Sequence, residues 1–540
     1  MMSDTNDTRG GLTDISLDAL TPDDIRDLVA TRIVQCRTQI QATLAEISRL
    51  QSLHNSVSLM CRIPTELLSI IFSYLQSGVG TNSDLIVASH VCKHWRAVAI
   101  GDPCLWSSFA AHHPDGVEEF LMRSEPTLLS ISQTRFATAT TAKLLNTAAH
   151  RIRSLHIAMP RPSAITVVLL SLTAPAPNLE ELDIKNTSGA NDGDEPDNSA
   201  VRLQQPIFSG HVPLLRSLVL HDVSFVVRPS SALVHLDLLT RALDLPSLTT
   251  MFGVFRACPG LETVNLTGRC NRDEYVGLRS EAKVSLRSLR SLNLIIHPDV
   301  CIPRILAVIS LPTQTKLRLY SPISASIFHL TPERTLTHAS SLLCLEGLRR
   351  LQVTWSTHHA QIRADHYMED TLQRPALDME FFHNTVYPRP GLLGKWRFDT
   401  SCIEVLVLTG ATLPGAADID HPSIPIALWI MTLESLPVLR TLRVVTLLPH
   451  YTSGLLNALQ SRPNGIDLLC PRLRALEFVR VDLPASSGQN ELHDVLLARS
   501  SEQEGMGLER IELSDCPIVL PVALRTTLKQ RGVEIDMGED

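Results

Sequence analysis

Residues 289–294 are Leu-Arg-Ser-Leu-Asn-Leu, and the pattern Leu-x-x-Leu-x-Leu returns throughout the 540-residue chain. In its last three positions a variable residue stands between two apolar ones, which is typical of a β-strand that buries one face. Eleven such strand phrases occur, beginning at residues 152, 179, 215, 233, 261, 289, 348, 403, 439, 473 and 508. This repetition predicts that one unit, used many times, builds most of the chain.

Amphipathic stretches long enough for a helix lie between the phrases, for example at residues 246–257 and 491–499. A strand followed by a helix every ~20–45 residues is typical of a solenoid, because one unit alone cannot cover its apolar face. We therefore predict an α/β fold over residues 111–540, with parallel strands on a concave face and helices outside. A weaker copy is expected at residues 315–319, within the long gap between the phrases at 289 and 348.

The repeating pattern resembles a degenerate leucine-rich repeat. The ninth position usually holds Asn or Cys, and only Cys516 satisfies it in the phrases compared, whereas Thr187 and Val481 do not. Two insertions interrupt the array. Residues 185–200 are rich in Asp, Asn and Gly and predict a mobile surface loop, while residues 357–400 show no period.

Residues 21–57 predict one amphipathic helix, preceded by a polar tail at 1–20 that we expect to be disordered. Thr21 can cap the helix and Pro22 suits its first turn. Thr43 and His54 interrupt a seven-residue apolar repeat formed by Ile33, Cys36, Ile40, Ile47, Leu50 and Val57. The stripe could form a dimeric coiled coil or pack on the next domain. The interruptions favour packing on the next domain.

A different motif precedes the repeats. Residues 63–75 are Ile-Pro-Thr-Glu-Leu-Leu-Ser-Ile-Ile-Phe-Ser-Tyr-Leu, which predicts a helix with a wide apolar face. Val-Cys-x-x-Trp-Arg-x-Val-Ala follows at residues 91–99, and Pro-x-Leu-Trp at 103–106. These three pieces, in this order, resemble the F-box of fungal F-box-like proteins. Ile63 replaces the more usual Leu, a conservative change.

The F-box resemblance implies a three-helix module at residues 58–110 that binds the Skp adaptor and, through it, a cullin. The chain would then be the substrate-recognition subunit of a Skp-cullin-F-box type ubiquitin ligase. It could instead act with the adaptor outside a ligase, or be a non-catalytic interaction scaffold. The resemblance assigns adaptor binding to Ile63, Pro64, Leu67, Leu68, Ile71, Phe72, Leu75, Val91, Cys92 and Trp95.

Composition argues against several other classes of protein. The net charge of −8 and the absence of a dense Lys/Arg run disfavour a nucleic-acid partner. Neither a signal peptide nor a membrane span is expected, and the scattered cysteines suit the cytoplasm or nucleus. Because glycine-rich phosphate loops, HExxH and GxSxG are all missing, we expect no enzyme activity, no cofactor and no metal site.

The strand phrases also nominate a surface for the target protein. The fifth residue of each phrase must point away from the core, and parallel strands align such residues across one face. The polar residues predicted to contact the target are Asp183, Asp237, Asn265, Asn293, Gln352, Arg443, Glu477 and Glu512. The insertion at 357–400 and the C-terminal end of the array are the alternatives, since long insertions often carry recognition.

Overall fold

The structure is a computed structural model of the whole chain. It describes residues 21–75, 82–111, 114–133, 138–188, 200–224, 230–270, 283–297, 301–321, 342–355, 359–367, 375–382, 398–410, 424–461, 468–483, 488–500, 507–518 and 520–537. The chain divides into two compact units. We call Met1–Ala110 with Glu119–Thr127 the helical unit, and Ala111–Glu118 with Leu128–Asp540 the sheet unit. The tail predicted at 1–20 lies outside the described residues.

The helical unit begins with one long helix. Its α-helices are α1 (Pro22–Val57), α2 (Thr65–Tyr74), α3 (Ser83–Ser89) and α4 (Lys93–Gly101), and α5 (Pro114–Arg123) continues beyond it. Short 3-10 helices occupy Leu59–Arg62 and Pro103–Trp106, and strand β1 is Ser108–Ala110. The predicted start of α1 is confirmed, because Thr21 Oγ1 accepts from the Asp24 amide while the Asp24 carboxylate accepts from the Thr21 amide.

Aromatic contacts hold α2 and α4 of the helical unit together. The rings of Phe72 and Trp95 meet edge to face with centroids 5.3 Å apart. The indole of Trp106 donates to the Ala99 carbonyl at 2.6 Å, so its polar group is satisfied although the side chain is buried. Leu68 completes this core with Leu85 of α3. Three short helices thus share one small apolar core.

Helix α1 does not pack as predicted. We expected its apolar stripe to lie on the following domain, yet no residue of α1 is buried. Ile33, Ile40 and Ile47 are all exposed. That expectation is wrong because the half-buried positions near the C-terminal end of α1 are the polar residues Ser48 and Ser52, on another side of the helix.

One large sheet dominates the sheet unit. The strands of this unit are β2 (Leu129–Gln133), β3 (Ile152–Met159), β4 (Glu181–Asn186), β5 (Val201–Arg202), β6 (Ser217–His221), β7 (Val223–Ser224), β8 (His235–Asp244), β9 (Thr263–Arg269), β10 (Val284–Ser285), β11 (Ser291–His297), β12 (Ile309–Ser310), β13 (Lys316–Ser321), β14 (Arg350–Trp355), β15 (His359–Asp365), β16 (Leu377–Phe382), β17 (Val405–Gly410), β18 (Thr441–Val445), β19 (Ala475–Val479), β20 (Arg510–Ser514) and β21 (Glu534–Asp536).

Neighbouring strands of the large sheet follow one another in space in the order β2-β3-β4-β6-β8-β9-β11-β13-β16-β15-β14-β17-β18-β19-β20-β21. These pairings are parallel except where β15 runs antiparallel to β14 and β16. Two smaller parallel pairs, β5 with β7 and β10 with β12, stand apart from it. The prediction of a mixed α/β chain with a large parallel sheet is confirmed.

Each strand phrase forms one strand of the large sheet, and all three of its apolar positions are buried. The weaker copy predicted at 315–319 is confirmed as β13, with Leu317 and Leu319 in the core. Strands β2, β16 and β21 lie in the same sheet without a complete phrase. The buried side of the sheet is thus set by the first, fourth and sixth residues of each repeat.

The insertion at 357–400 is not merely a connection without period. Its described residues supply β15 and β16, which enter the large sheet between β14 and β13. Strand β15 runs back antiparallel, so β16 can run parallel to β13 in register from Leu377 to Phe381. The prediction for this segment was therefore wrong in part. Most of the loop predicted at 185–200 lies outside the described residues.

Helices connect many of the strands. They are α6 (Ala139–Thr147), α7 (Pro162–Ser171), α8 (Leu248–Ala257), α9 (Cys301–Val308), α10 (Ile426–Glu434), α11 (Pro449–Gln460), α12 (Gly488–Arg499) and α13 (Val522–Gln530), with 3-10 turns at Ala149–Arg151, Ile207–Gly210 and Leu343–Leu345. Helices α10, α11 and α12 pack side by side in chain order. No described residue between β4 and β8 is in an α-helix.

The turn after the strand repeats as well. The eighth residue of four phrases has a left-handed backbone, at Asp222, Thr446, Arg480 and Asp515. The amides of Thr446 and Arg480 donate to the carbonyls of Val479 and Ser514 on the next strand, both at 2.9 Å. Because left-handed backbone is uncommon outside glycine, its return at one position marks a structural repeat.

Candidate functional site

The predicted adaptor residues of the helical unit do not all face the same way. Leu67 and Ile71 of α2 are 53% and 46% exposed. Pro64 and Val91 are exposed as well. Four others are half-buried. Ile63, Leu75 and Trp95 pack against the core, and Cys92 is the fourth.

The assignment of Leu68 and Phe72 to the adaptor surface is corrected. Both side chains have no exposed area and belong to the core of the helical unit. They stand four residues apart on one side of α2, and Phe72 meets the ring of Trp95 from α4. Leu67 and Ile71 precede them by one residue each and therefore lie on another side of the same helix. Only this second side offers surface to a partner.

Two further exposed residues on α2 escaped the sequence analysis. Ile70 is exposed and Tyr74 is 73% exposed. With Leu67 and Ile71 they stand at spacings of three, four and seven, which places all four on one side of the helix. We call Leu67, Ile70, Ile71 and Tyr74 the α2 patch. The signal was present in the sequence, because α2 is apolar on two sides and only one can face a core.

Trp95 and Cys92 act mainly inside the helical unit. The indole of Trp95 donates to the Met60 carbonyl at 3.3 Å, which ties α4 to the chain before α2. Cys92 Sγ accepts from the Trp95 amide at the start of α4 and lies 3.6 Å from Cys61 Sγ. Burial raises the pKa of the Cys61 thiol, and the neighbouring Cys92 adds to that shift. Both residues support α4.

On the sheet unit, the predicted target residues fall into one line. On every strand of the large sheet, one residue is directly opposite the corresponding residue of the neighbouring strand. These pairs connect the predicted target residues without a gap. We call this line the polar row. It comprises Ser132, His156, Asp183, Val219, Asp237, Asn265, Asn293, Arg318, Asp378, Arg363, Gln352, Val407, Arg443, Glu477, Glu512 and Asp536.

The sequence analysis missed part of the row. Arg318 lies on the weaker copy, and Arg363 and Asp378 come from the insertion at 357–400. The insertion, proposed above as an alternative to the strand face, thus contributes to that face. Asp536 extends the row at its C-terminal end. The signal for Asp536 was the short alternation at residues 533–536, which lacks the opening leucine of a phrase.

Neighbours in the row pair with one another. Asn265 donates to Asp237 at 3.2 Å, and Arg363 Nε lies 3.6 Å from Asp378. Arg443 Nε lies 3.8 Å from Glu477 on the next strand. Ion pairs this exposed each stabilise a fold by less than ~1 kcal/mol, so they order side chains more than they hold the sheet. The row is a structured polar surface with acidic residues at both ends.

A tighter cluster lies near the N-terminal end of the row. His156 Nδ1 is 3.4 Å from Asp183 Oδ2, and Lys185 Nζ is 2.7 Å from the same oxygen. The hydrogen bond to Asp183 raises the pKa of His156, against the opposing effect of burial. Burial pushes the pKa of Asp183 upward, but hydrogen bonds from His156 and Lys185 outweigh it and lower that pKa overall. Each of these two groups therefore favours the charged form of the other.

The same cluster has a hydroxyl, an imidazole and a carboxylate in sequence, the order used by serine nucleophiles. Ser154 Oγ lies 2.9 Å from His156 Nε2 and 3.0 Å from Glu181 Oε2. Ser154 is buried, and β3 pairs with strands on both sides, so its backbone amides are used by the sheet. The Ser154 hydroxyl thus contacts both the imidazole of His156 and the carboxylate of Glu181 within the sheet.

A cavity of about 420 Å³ lies behind β6 and β8. Its lining includes Leu218, Leu220, Leu236 and Met251, and it falls on the core side of the strands, opposite the polar row. Among the described residues that line it, no buried polar side chain lacks a hydrogen-bond partner. Nothing there selects a particular ligand.

Comparison with known proteins bears on the helical unit. The family model described as F-box-like matches residues 60–112. An F-box-like domain is found there. Domains of this kind generally bind Skp-type adaptors. The match covers α2, α3 and α4 and includes the α2 patch. No curated protein matches the chain.

Two further observations concern other kinds of site. In the part of the chain that the structure describes, no three His, Cys, Asp or Glu side chains are grouped as metal ligands would be. None of the described helices combines the length and apolar character needed to cross a membrane.

Proposed function

We propose that this chain is the substrate-recognition subunit of a Skp-cullin-F-box type ubiquitin ligase. The observation that carries the proposal is the α2 patch within the F-box-like domain, where four large apolar side chains are exposed on one side of a short helix. An apolar group of this kind on a folded domain commonly marks a binding surface. The partner that fits it is the Skp adaptor, which connects the chain to a cullin.

In this proposal the chain itself does no chemistry. Ubiquitin transfer belongs to the other subunits, and the sheet unit holds the target protein in place. All eleven cysteines are free thiols, which suits a protein of the cytoplasm or nucleus. The proposal therefore needs no cofactor and no metal.

We further infer that the sheet unit is a degenerate leucine-rich-repeat solenoid that binds its target on the strand face. Three observations support this: one strand per phrase, parallel pairing in register, and the left-handed residue that returns at the eighth position. Cys516, at the ninth position, bonds the turn as the repeat requires, since its thiol donates to the Phe478 carbonyl at 3.3 Å. The polar row would then line the concave side.

The adaptor step is tested by truncating the α2 patch. The variant carrying Leu67→Ala and Ile71→Ala should bind the purified Skp adaptor at least tenfold more weakly, since losing two interface side chains commonly costs upward of ~1–2 kcal/mol. Isothermal titration would give the affinity. The matched control carries Val167→Ala and Leu170→Ala, which truncates two exposed apolar side chains on α7. Its affinity should equal that of the unmodified chain.

The ligase step is tested separately by adding the cullin. The unmodified chain should capture adaptor and cullin together, and the Leu67/Ile71 variant neither. Unchanged adaptor affinity in the folded variant would remove the α2 patch as the docking surface. Capture of the adaptor without the cullin would reject membership of a ligase.

The target step is tested on the polar row. Replacing Asp183, Asp237, Glu477 and Glu512 by Lys should abolish target capture while leaving adaptor affinity unchanged, because the acidic ends of the row favour a basic partner. A control exchanges one ion pair, with Arg443→Glu and Glu477→Arg together, and keeps the net charge of the row. If capture survives the four-fold reversal, the strand face is not the binding site.

A further inference from the structure

Near its C-terminal end, helix α1 half-buries polar residues and exposes apolar ones, which is the reverse of a normal surface helix. Ser48, Ser52 and Asn55 are its half-buried residues near the C-terminal end, and they line a cleft with residues 89–96 of the helical unit. Ile40, on the apolar side, is 58% exposed. Surface helices ordinarily bury the apolar side and expose the polar one. Among the described residues nothing covers the apolar side of α1.

The spacing of the apolar residues on α1 indicates which kind of structure can cover them. Isoleucines stand exactly seven residues apart, at 33, 40 and 47. A second line, also with a seven-residue spacing, is formed by Val29, Cys36, Thr43, Leu50 and Val57. A seam of this period twists slowly around a helix and is matched by another helix of the same period. A globular surface or a strand would not follow it.

We propose that a second copy of this chain covers the seam, with the two α1 helices side by side, parallel and in register. Isoleucine at the first heptad position with leucine at the fourth, the combination of Ile47 and Leu50, favours two parallel helices. From Val29 to Val57 the seam covers 29 residues, one more than four heptads, and about three to four heptads are needed for a sustained coiled coil. The inference does not depend on adaptor binding.

Polar and charged residues in and beside the seam should weaken the dimer. Thr43 meets its own copy in one layer, and His54 meets its own copy in another, so two layers contribute little apolar burial. Arg32 and Arg37 flank the seam at positions that face each other in a parallel pair, which places like charges together. Added salt screens this repulsion. The dimer should therefore tighten as the salt concentration rises.

The first test measures the oligomeric state of the full chain by sedimentation over a range of concentrations. We expect a reversible dimer, and Ile40→Lys should raise its dissociation constant at least tenfold. Ala45→Lys is the matched control, because it adds the same charge to the same helix on the side away from the seam, and its dissociation constant should equal that of the unmodified chain. A chain that stays monomeric throughout, or equal weakening by both variants, would overturn the proposal.

The second test reads the orientation through Cys36, which is an exposed free thiol. In a parallel, in-register pair the two Cys36 residues face each other within disulfide range. Diamide should then oxidise the two thiols to one disulfide and take up their two electrons and two protons, giving a covalent dimer on a non-reducing gel. Cys36→Ser should abolish it, while Cys104→Ser with Cys402→Ser should not. A reversible dimer that gives no Cys36 bond would reject the parallel arrangement.

Discussion

The strand phrases of the sheet unit and the first two helices of the helical unit differ in where they place large apolar side chains. In the sheet unit, the three apolar positions of every strand phrase are buried, and the row between them is polar and at least half-buried at most positions, with Val219 and Val407 as apolar members. In the helical unit, α1 and α2 expose isoleucine and leucine to solvent, while α2 places equally apolar residues in the core. The buried leucines of the strand phrases therefore stabilise the sheet unit. The exposed apolar residues of α1 and α2 instead indicate binding surfaces for partners. Residue type alone does not separate the two roles.

The largest expected effect comes from two adjacent residues of α2. Phe72→Ala should lower the free energy of unfolding by about 3–5 kcal/mol, because it empties the centre of a small core. Ile71→Ala should change it by less than ~0.5 kcal/mol, since an exposed side chain loses little on truncation. Urea unfolding followed by tryptophan fluorescence would measure both. Similar losses for the two variants would contradict the division of α2 into a core side and a partner side.

The buried residues of the sheet unit include several polar side chains, and Arg499 is one of them. Arg499 is buried at the end of α12, and its guanidinium donates to the carbonyls of Leu459, Leu469 and Cys470 at 2.8, 2.6 and 3.3 Å. Burial lowers its pKa to about 10, so it remains charged near neutral pH. Leu459 lies at the C-terminal end of α11, where carbonyls lack helical partners. The Arg499 guanidinium thus supplies a hydrogen-bond donor to a carbonyl at the C-terminal end of α11.

Arg499→Met should destabilise the sheet unit by about 3 kcal/mol, because three carbonyls lose a donor at a buried site. Arg499→Lys keeps the charge but has fewer hydrogen-bond donors. Its stability should therefore lie between that of the unmodified chain and that of Arg499→Met. Hydrogen exchange of the amides in α11 and α12 would locate the loss. A methionine variant as stable as the unmodified chain would mean that apolar packing replaces the buried charge without cost.

Most of the large sheet could be predicted from the sequence because its signal is local. A strand phrase contains the alternation that buries leucines on one side, and the fifth position follows directly from it, as at Asp183 and Glu477. Strands β16 and β21 were missed because they lack the opening leucine. Strand β2 was missed because Gln133 stands at the last apolar position of its phrase. Strand β15 lies in the insertion at 357–400 and runs antiparallel. The Leu-x-x-Leu-x-Leu pattern does not predict a strand of that direction.

The helical unit was harder to predict because its decisive contacts are between helices. Residues 67–74 are apolar on two sides of α2. Contacts with the other helices, such as Trp95 against Phe72 and Leu85 with Leu68, select the side that faces inward. The stripe on α1 has a clear period, yet the period alone does not say whether the covering partner lies in the same chain. The sequence favours a partner surface in the same chain, and the exposed isoleucines contradict that prediction.

The smallest expected effect concerns protonation on the polar row. The hydrogen bond to Asp183 raises the pKa of His156 above its ordinary value of 6.5, whereas nearby Lys185 acts to lower it. Asp183→Asn should therefore bring the titration midpoint of His156 down, and Lys185→Met should move it up. NMR of labelled histidine would follow both. Shifts in the same direction for the two variants would contradict the arrangement of charges around His156.

The raised pKa of His156 also predicts how the stability of the fold depends on pH. Because the folded state holds the proton on His156 more tightly than the unfolded state, this interaction stabilises the fold fully below pH ~6.5 and is lost as the pH rises through the folded-state pKa. The advantage of the unmodified chain over His156→Gln should accordingly shrink between mildly acidic and mildly alkaline pH. Half of this site is open to solvent, so the change is expected to be small beside those at Phe72 and Arg499. An advantage that grows with pH would mean that His156 is neutral in the folded protein.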